Sequence, residues 1–248
     1  MTKKLCLFSV LVLFCSMSYG QKQYDSGYVE YGVELNDEFL KKIKRVSQKQ
    51  EKFKTAFKYI KKFMSNHKKI YSSDITFLEL TFSNGTYLLK PLEIMLPENL
   101  QGKFIFQSSI YYGNMNSNSY LNQFDKGSNT YIAPFKEIYK WEIKNKQKNI
   151  LGFPCRKAII EKKVHSKKFN ITNTSKIIAW FTPQIPVAFS PVRYYGLPGA
   201  ILEITTPPRH IYAREIEFKD EVKIEKPTEG IKLTAEEYKQ MMSGFKQD

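Results

Sequence analysis

A chain of 248 residues and 29.1 kDa, 42% hydrophobic and 25% charged, has the composition of a folded globular protein and excludes a disordered, collagen-like or multi-span membrane chain. Lys and Arg number 39 against 24 Asp and Glu, a formal charge of +15. Positive surface potential follows, which favours anionic partners without choosing among them.

The first twenty residues read as an export signal. Lys3 and Lys4 precede an apolar run from Leu5 to Cys15, and Ser18 and Gly20 supply the small residues a signal peptidase requires. The run is too short for a membrane-spanning helix, which needs about 20 apolar residues. Phe14 is too bulky to precede a lipidated Cys15. The expectation is cleavage after Gly20 and a periplasmic or extracellular protein without a lipid anchor. Export would remove Cys6 and Cys15, leaving Cys155 alone, so no internal disulfide is expected and stability must come from a core.

Next in the chain, Tyr28 to Leu35 alternates as a strand, and Asn36 then caps a predicted helix that continues to Lys69 without Gly or Pro. Phe39, Ile43, Val46, Phe53, Phe57, Ile60 and Met64 recur at spacings of three and four around Gln50, which predicts one buried face. The opposite face is basic and reads first as a solvated face, with an anionic membrane surface or an acidic glycan as the alternative partner it would suit. Ile75 to Phe82 and Tyr87 to Leu89 flank Asn84-Gly85, the pattern of a tight hairpin. Further strands are expected at Lys103–Tyr112, Thr130–Ile132, Ile138–Ile143, Cys155–Val164, Lys176–Thr182, Ala200–Thr205 and Ile211–Phe218. Gly113 to Asn129, rich in Asn, Ser and Gly, is expected as a loop and Lys219 to Gly230 as a charged linker. Thr234 with Glu237 makes a capping box for a short final helix.

The segment Gly196-Leu197-Pro198-Gly199-Ala200-Ile201, followed by Leu202-Glu203, resembles the signature of the GLPGLI family, exported proteins found mainly in Bacteroidetes, with Ala200 where a second Leu is usual. Supporting similarity lies in Trp141-Glu142-Ile143, in Ile150 to Ala158 around Cys155, and in Ala179 to Pro186 around Trp180. Phe189-Ser190-Pro191 departs from the Gly-Pro pair expected there. The resemblance implies an exported protein and no known activity. In physical terms Gly196 and Gly199 permit a left-handed or closely approached backbone, and Pro198 cannot donate a ladder hydrogen bond, so the octet reads as a reversal onto a strand.

Catalytic chemistry is poorly represented. His67, His165 and His210 fall on separate elements without metal-ligand spacing, so no metal site and no cofactor are expected. Cys155 is the one candidate nucleophile and defines the alternative reading, a thiol enzyme or redox protein; as a strand residue it reads first as a small core hydrophobe. Trp141, Trp180, Phe181, Tyr194 and Tyr195 are candidates to line an apolar groove. No nucleic acid is expected, because the aromatics are not interleaved with the basic run.

The sequence therefore predicts a mainly β (α+β) fold: a curved antiparallel β-sheet meander covered by one long amphipathic helix, residues 36–69, with a short C-terminal helix. Its organisation would be a signal peptide at 1–20, one domain at 21–218, and a linker with the final helix at 219–248. The function expected is an exported non-catalytic binding protein of the bacterial envelope, holding an apolar or amphipathic ligand, or a partner protein, between helix and sheet.

Overall fold

A computed structural model describes residues 24–49, 76–92, 109–135, 139–166, 171–192, 194–207 and 209–243. The expected export segment, the helix beyond Lys49 and most of the strand expected at Lys103–Tyr112 lie outside the described residues.

In chain order the elements are β1 (Ser26–Leu35), α1 (Asp37–Lys49), β2 (Leu78–Ser83), β3 (Thr86–Pro91), β4 (Ile110–Asn114), β5 (Ser119–Lys126), β6 (Asn129–Pro134), β7 (Glu142–Ile150), β8 (Phe153–Ser166), β9 (Ile171–Thr182), β10 (Ala200–Thr206), β11 (Arg209–Phe218), β12 (Ile231–Lys232) and α2 (Ala235–Ser243). The strands form one sheet in the order β12-β6-β5-β4-β3-β2-β1-β11-β10-β9-β8-β7. It consists of two antiparallel meanders, β1 to β6 and β7 to β11, joined where β1 pairs with β11; β12 adds two residues in parallel to β6. The short connection from Phe135 to Trp141 joins β6 to β7, at opposite ends of the two meanders. Both Phe135 and Trp141 meet Tyr195, so the sheet is rolled until its ends share one residue.

The expected covering helix is not what fills the concave side, and this corrects the predicted fold class. The described residues are nearly all β with two short helices. The cap forms as expected, the amide of Phe39 donating to Asn36 Oδ1 at 3.3 Å, but Lys41, Lys42, Lys44 and Arg45 of α1 face solvent. The physical reason is that the interior already has an occupant. Pro183 to Gly199, between β9 and β10, runs inside the rolled sheet and buries Ile185, Val187, Phe189, Tyr195 and Leu197. Its amides at Val187 and Phe189 donate two residues back, to the carbonyls of Ile185 and Val187 at 2.8 and 2.7 Å. These γ-turn bonds gather the backbone into a zigzag that sends alternate side chains into the core. Around it the sheet contributes a continuous apolar row: Ala158, Ala179, Ile204, Ile211 and Val33 oppose one another across five strands and are all buried.

Two further expectations are corrected. Residues Gly113 to Asn129 are not one loop: β5 pairs on both sides despite its own polar residues Asn122, Gln123 and Asp125, and only the tight turns around Asn116 and Gly127 lie outside strands. Burial of Phe124 and Asn122 and pairing with two neighbours override composition there. The strand expected at Ile138–Ile143 is displaced to Glu142–Ile150, because β7 is set by its hairpin with β8. At the C-terminus, the capping box forms as the sequence indicates: Thr234 Oγ1 accepts from the amide of Glu237 at 3.2 Å, and Glu237 Oε2 accepts from the amide of Thr234 at 2.7 Å.

Candidate functional site

The candidate site lies on the outer face, opposite the buried layer. Alternation along each strand sends neighbours of the buried residues outward, and the register aligns them in two rows. Lys157, Trp180, Glu203, Tyr212 and Gly32 oppose one another across β8, β9, β10, β11 and β1. Beside them run Ile159, Ile178, Thr205, His210 and Glu34. Gly32 has a steric role, since a Cβ there would lie 2.9 Å from the Tyr212 ring and 2.8 Å from Arg214 Cδ; its absence lets the outer side chains of β11 close over β1.

A chain of alternating charges crosses this face. His210 Nδ1 lies 3.5 Å from Glu34 Oε2 and His210 Nε2 lies 3.4 Å from Glu203 Oε1. Glu203 is also paired with Lys148 of β7, whose ammonium stands 4.6 Å from the centre of the Trp180 ring, with Lys157 at 5.6 Å. Burial opposes the charge on Glu203, but hydrogen bonding from His210 and Lys148 outweighs it and holds the carboxyl below its ordinary range. His210 moves the opposite way: its contact with Glu203 raises it above an ordinary imidazole against the cost of burial, and Glu34 adds to the rise. Both ring nitrogens therefore face carboxylates, which favours the imidazolium. The half-exposed surface combines an indole with fixed charges of both signs, a combination suited to recognition.

Cys155 stands elsewhere in this chemistry. It opposes Lys148 across β7 and β8, but it is fully buried, its thiol donates to the carbonyl of Phe153 at 3.5 Å, and burial pushes its pKa up to about 12. Thiolate chemistry has no support from this environment. Among the described residues no group of three His, Cys, Asp or Glu side chains is placed to hold a metal ion.

The five aromatics proposed from sequence are not brought into one groove. Trp180 is on the outer face, whereas Phe181 and Tyr195 are buried. Trp141 and Tyr194 are half-buried near the start of β7; the indole of Trp141 donates to the Tyr195 carbonyl at 3.0 Å, and the Tyr194 ring lies 4.9 Å from that of Tyr139. The octet serves architecture. Gly199 has φ +140°, and a Cβ there would lie 2.1 Å from the Thr182 carbonyl oxygen, so two backbones cross in contact at the entrance to β10. The Tyr31 hydroxyl donates to the Ile201 carbonyl at 2.8 Å, and the amides of Ala200 and Ile201 donate to Ile185 and Phe189 at 3.0 and 3.3 Å. Gly196 and Pro198 are exposed at the bend, while Leu197 and Ala200 are buried. Sequence reasoning missed Glu203, His210, Glu34 and Lys148 as a group. The available signal was the hairpin of β10 and β11, which sets Thr205 against His210 and Glu203 against Tyr212.

Comparison with known families covers part of this region, with His210 and Glu34 outside it. Residues 141–203 match the profile of a family described as a protein of unknown function (Porph_ging). The match begins at Trp141 and ends at Glu203, thereby including β7 to β9, Cys155, the interior segment and the octet, about a quarter of the chain. Among solved structures the chain is similar to PNGF-II, in structures described in P21 and C2 space groups, with a TM-score of 0.52 and 12% identity in each case. The alignments cover 88% of this chain and 33% and 32% of those chains, so this protein spans about a third of the length of the solved chains it matches. At that identity the likeness is one of fold. No curated protein matches the chain significantly.

Proposed function

We propose that this protein is an exported, non-catalytic binding protein of the bacterial cell envelope, of the GLPGLI type, that recognises a partner protein on the outer face of its sheet. The observation that carries this reading is the use of the two faces. The concave side is filled by the chain's own Pro183–Gly199, whereas the outer side presents Trp180 and the Glu34–His210–Glu203–Lys148 chain half-exposed. An apolar ligand held between helix and sheet has no support from this arrangement. The basic, then apolar, then small-residue pattern of the first twenty residues supports export, and the octet at Gly196–Ile201 supports the family.

The test is cross-linking in the native host with a photoreactive group at position 180, compared with groups placed on α1. The reading expects a discrete protein adduct from position 180 that His210→Ala and Glu203→Gln diminish while circular dichroism is unchanged. Absence of any adduct, or adducts equally strong from α1, refutes it.

A further inference from the structure

The turn between β7 and β8 is built from Leu151 and Gly152, at φ 49° and 86°. Two-residue turns of this kind favour Asn, Asp or Gly at the first position, because a side chain at positive φ is crowded by its own Cβ. Polar chemistry already serves the turn, since Asn149 Oδ1 accepts from the amide of Gly152 at 2.8 Å. Leu151 takes no part in it and is 47% exposed, so neither conformation nor burial favours leucine there.

The surroundings give that residue a context. Among the described residues the exposed large hydrophobic side chains are Ile143, Leu151 and Ile231; the first two bracket β7, the edge strand at one end of the sheet. Between Lys140 and Lys163 the chain carries eight Lys and Arg against Glu142 and Glu161. Those two carboxylates are engaged by Lys144 and Lys176, and Lys148 is held by Glu203 of β10; eight cations against two carboxylates still leave the hairpin a formal excess of +6.

We propose that the β7–β8 hairpin is a peripheral membrane-docking element, with Leu151 entering the boundary between headgroups and acyl chains of an anionic bilayer and the hairpin's cations engaging lipid phosphates. An exposed apolar tip with basic flanks matches the two attractions that such a surface offers. A partner strand would fit less well. The register breaks between Ile143 and Gln147, which disturbs the edge as a template, and pairing with a second copy would set lysines among lysines. A fluid anionic surface requires no register. The proposal goes beyond recognition on the outer face, and its test in vitro does not depend on that reading.

The experiment is sedimentation of the purified chain starting at Gln21 with phosphatidylcholine vesicles containing one quarter phosphatidylglycerol, against pure phosphatidylcholine. Binding should require the anionic lipid and weaken as salt is raised. Leu151→Asn suits the turn better and keeps the fold, yet should lower partitioning roughly tenfold or more through loss of the inserted side chain. A polarity-sensitive dye on Leu151→Cys should shift to the blue on vesicles, while Cys155 stays buried and unlabelled. Failure to sediment at low salt overturns the proposal. So does equal binding by Leu151→Asn, which would reduce the attraction to surface charge without an inserted side chain. Retention that depends on Leu151 on polyglutamate beads but is absent on vesicles would identify an acidic protein surface instead, and likewise overturns it.

Discussion

At the scale of single residues, Gly199 and Gly152 separate two reasons for a glycine. Both have positive φ, but a Cβ at Gly152 meets nothing within 4 Å, whereas at Gly199 it would lie 2.1 Å from a backbone oxygen. Gly152→Ala should therefore cost only about 1 kcal/mol of conformational strain. Gly199→Ala should cost more, roughly 2–4 kcal/mol, because two backbones must separate where β9 crosses the entrance to β10. Urea denaturation midpoints compare the two variants directly, and equal losses would mean that the crossing is not tight. Tyr31 makes the neighbouring tie. Tyr31→Phe leaves the Ile201 carbonyl without its side-chain donor in a buried setting and should cost about 1–3 kcal/mol. Cys155, with its pKa near 12, should resist iodoacetamide at pH 8 until the chain is denatured; rapid alkylation of the folded protein would contradict its burial.

At the scale of elements, the β10–β11 hairpin couples charge to pH. The folded His210 has a raised pKa, so its contribution to stability is fully present below the ordinary value of 6.5 and is lost as pH rises through the raised value. Glu203 has a lowered pKa, so its contribution is present above the ordinary 4.5 and is lost as pH falls through the lowered value. Together they give greatest support between about pH 4.5 and 6.5. Denaturation midpoints measured across pH should fall less steeply on the alkaline side in His210→Gln than in the unmodified protein. Identical slopes would exclude His210 as the group responsible. The same elements show what was legible in sequence. The strands Ala200–Thr206 and Arg209–Phe218 were readable almost to the residue, because apolar alternation and the intervening prolines mark them. The charge chain was not, because Lys148 and Glu203 are 55 positions apart and become neighbours only through pairing of β7, β8, β9 and β10. β5 was hidden by its polar residues: Asn122 reads as loop, yet its amide donates to the Tyr238 hydroxyl at 3.1 Å, a partner 116 positions away that no local pattern announces.

At the scale of the whole molecule, the error about the covering helix shows how a core is chosen. The periodicity from Phe39 onward promised one apolar stripe, and the sheet needed one covering layer, so assigning the first to the second was consistent at the level of pattern. Ile185, Val187 and Phe189 alternate as well, but three prolines in Pro183–Pro191 break the ladder pattern by which a strand is recognised. The rolled sheet resolves the competition by proximity: this segment is tethered at both ends to paired strands, β9 and β10, and a short tether closes at little entropic cost. Phe189 is its central contact, buried with its ring 5.1 Å from Tyr87 and 6.4 Å from Tyr31. Phe189→Ala should therefore destabilise the fold by about 3–5 kcal/mol through lost burial and a residual cavity. Tyr238→Ala, in a half-buried residue of α2 that packs on Phe124 and Phe135, should cost less and leave the rest of the sheet intact. Hydrogen exchange distinguishes the two. Phe189→Ala should accelerate exchange in both meanders together, because both close on the same segment, whereas Tyr238→Ala should accelerate it only in β5, β6, β12 and α2. Local exchange confined to residues 183–199 in the Phe189 variant would show that the sheet holds its curvature without its interior segment.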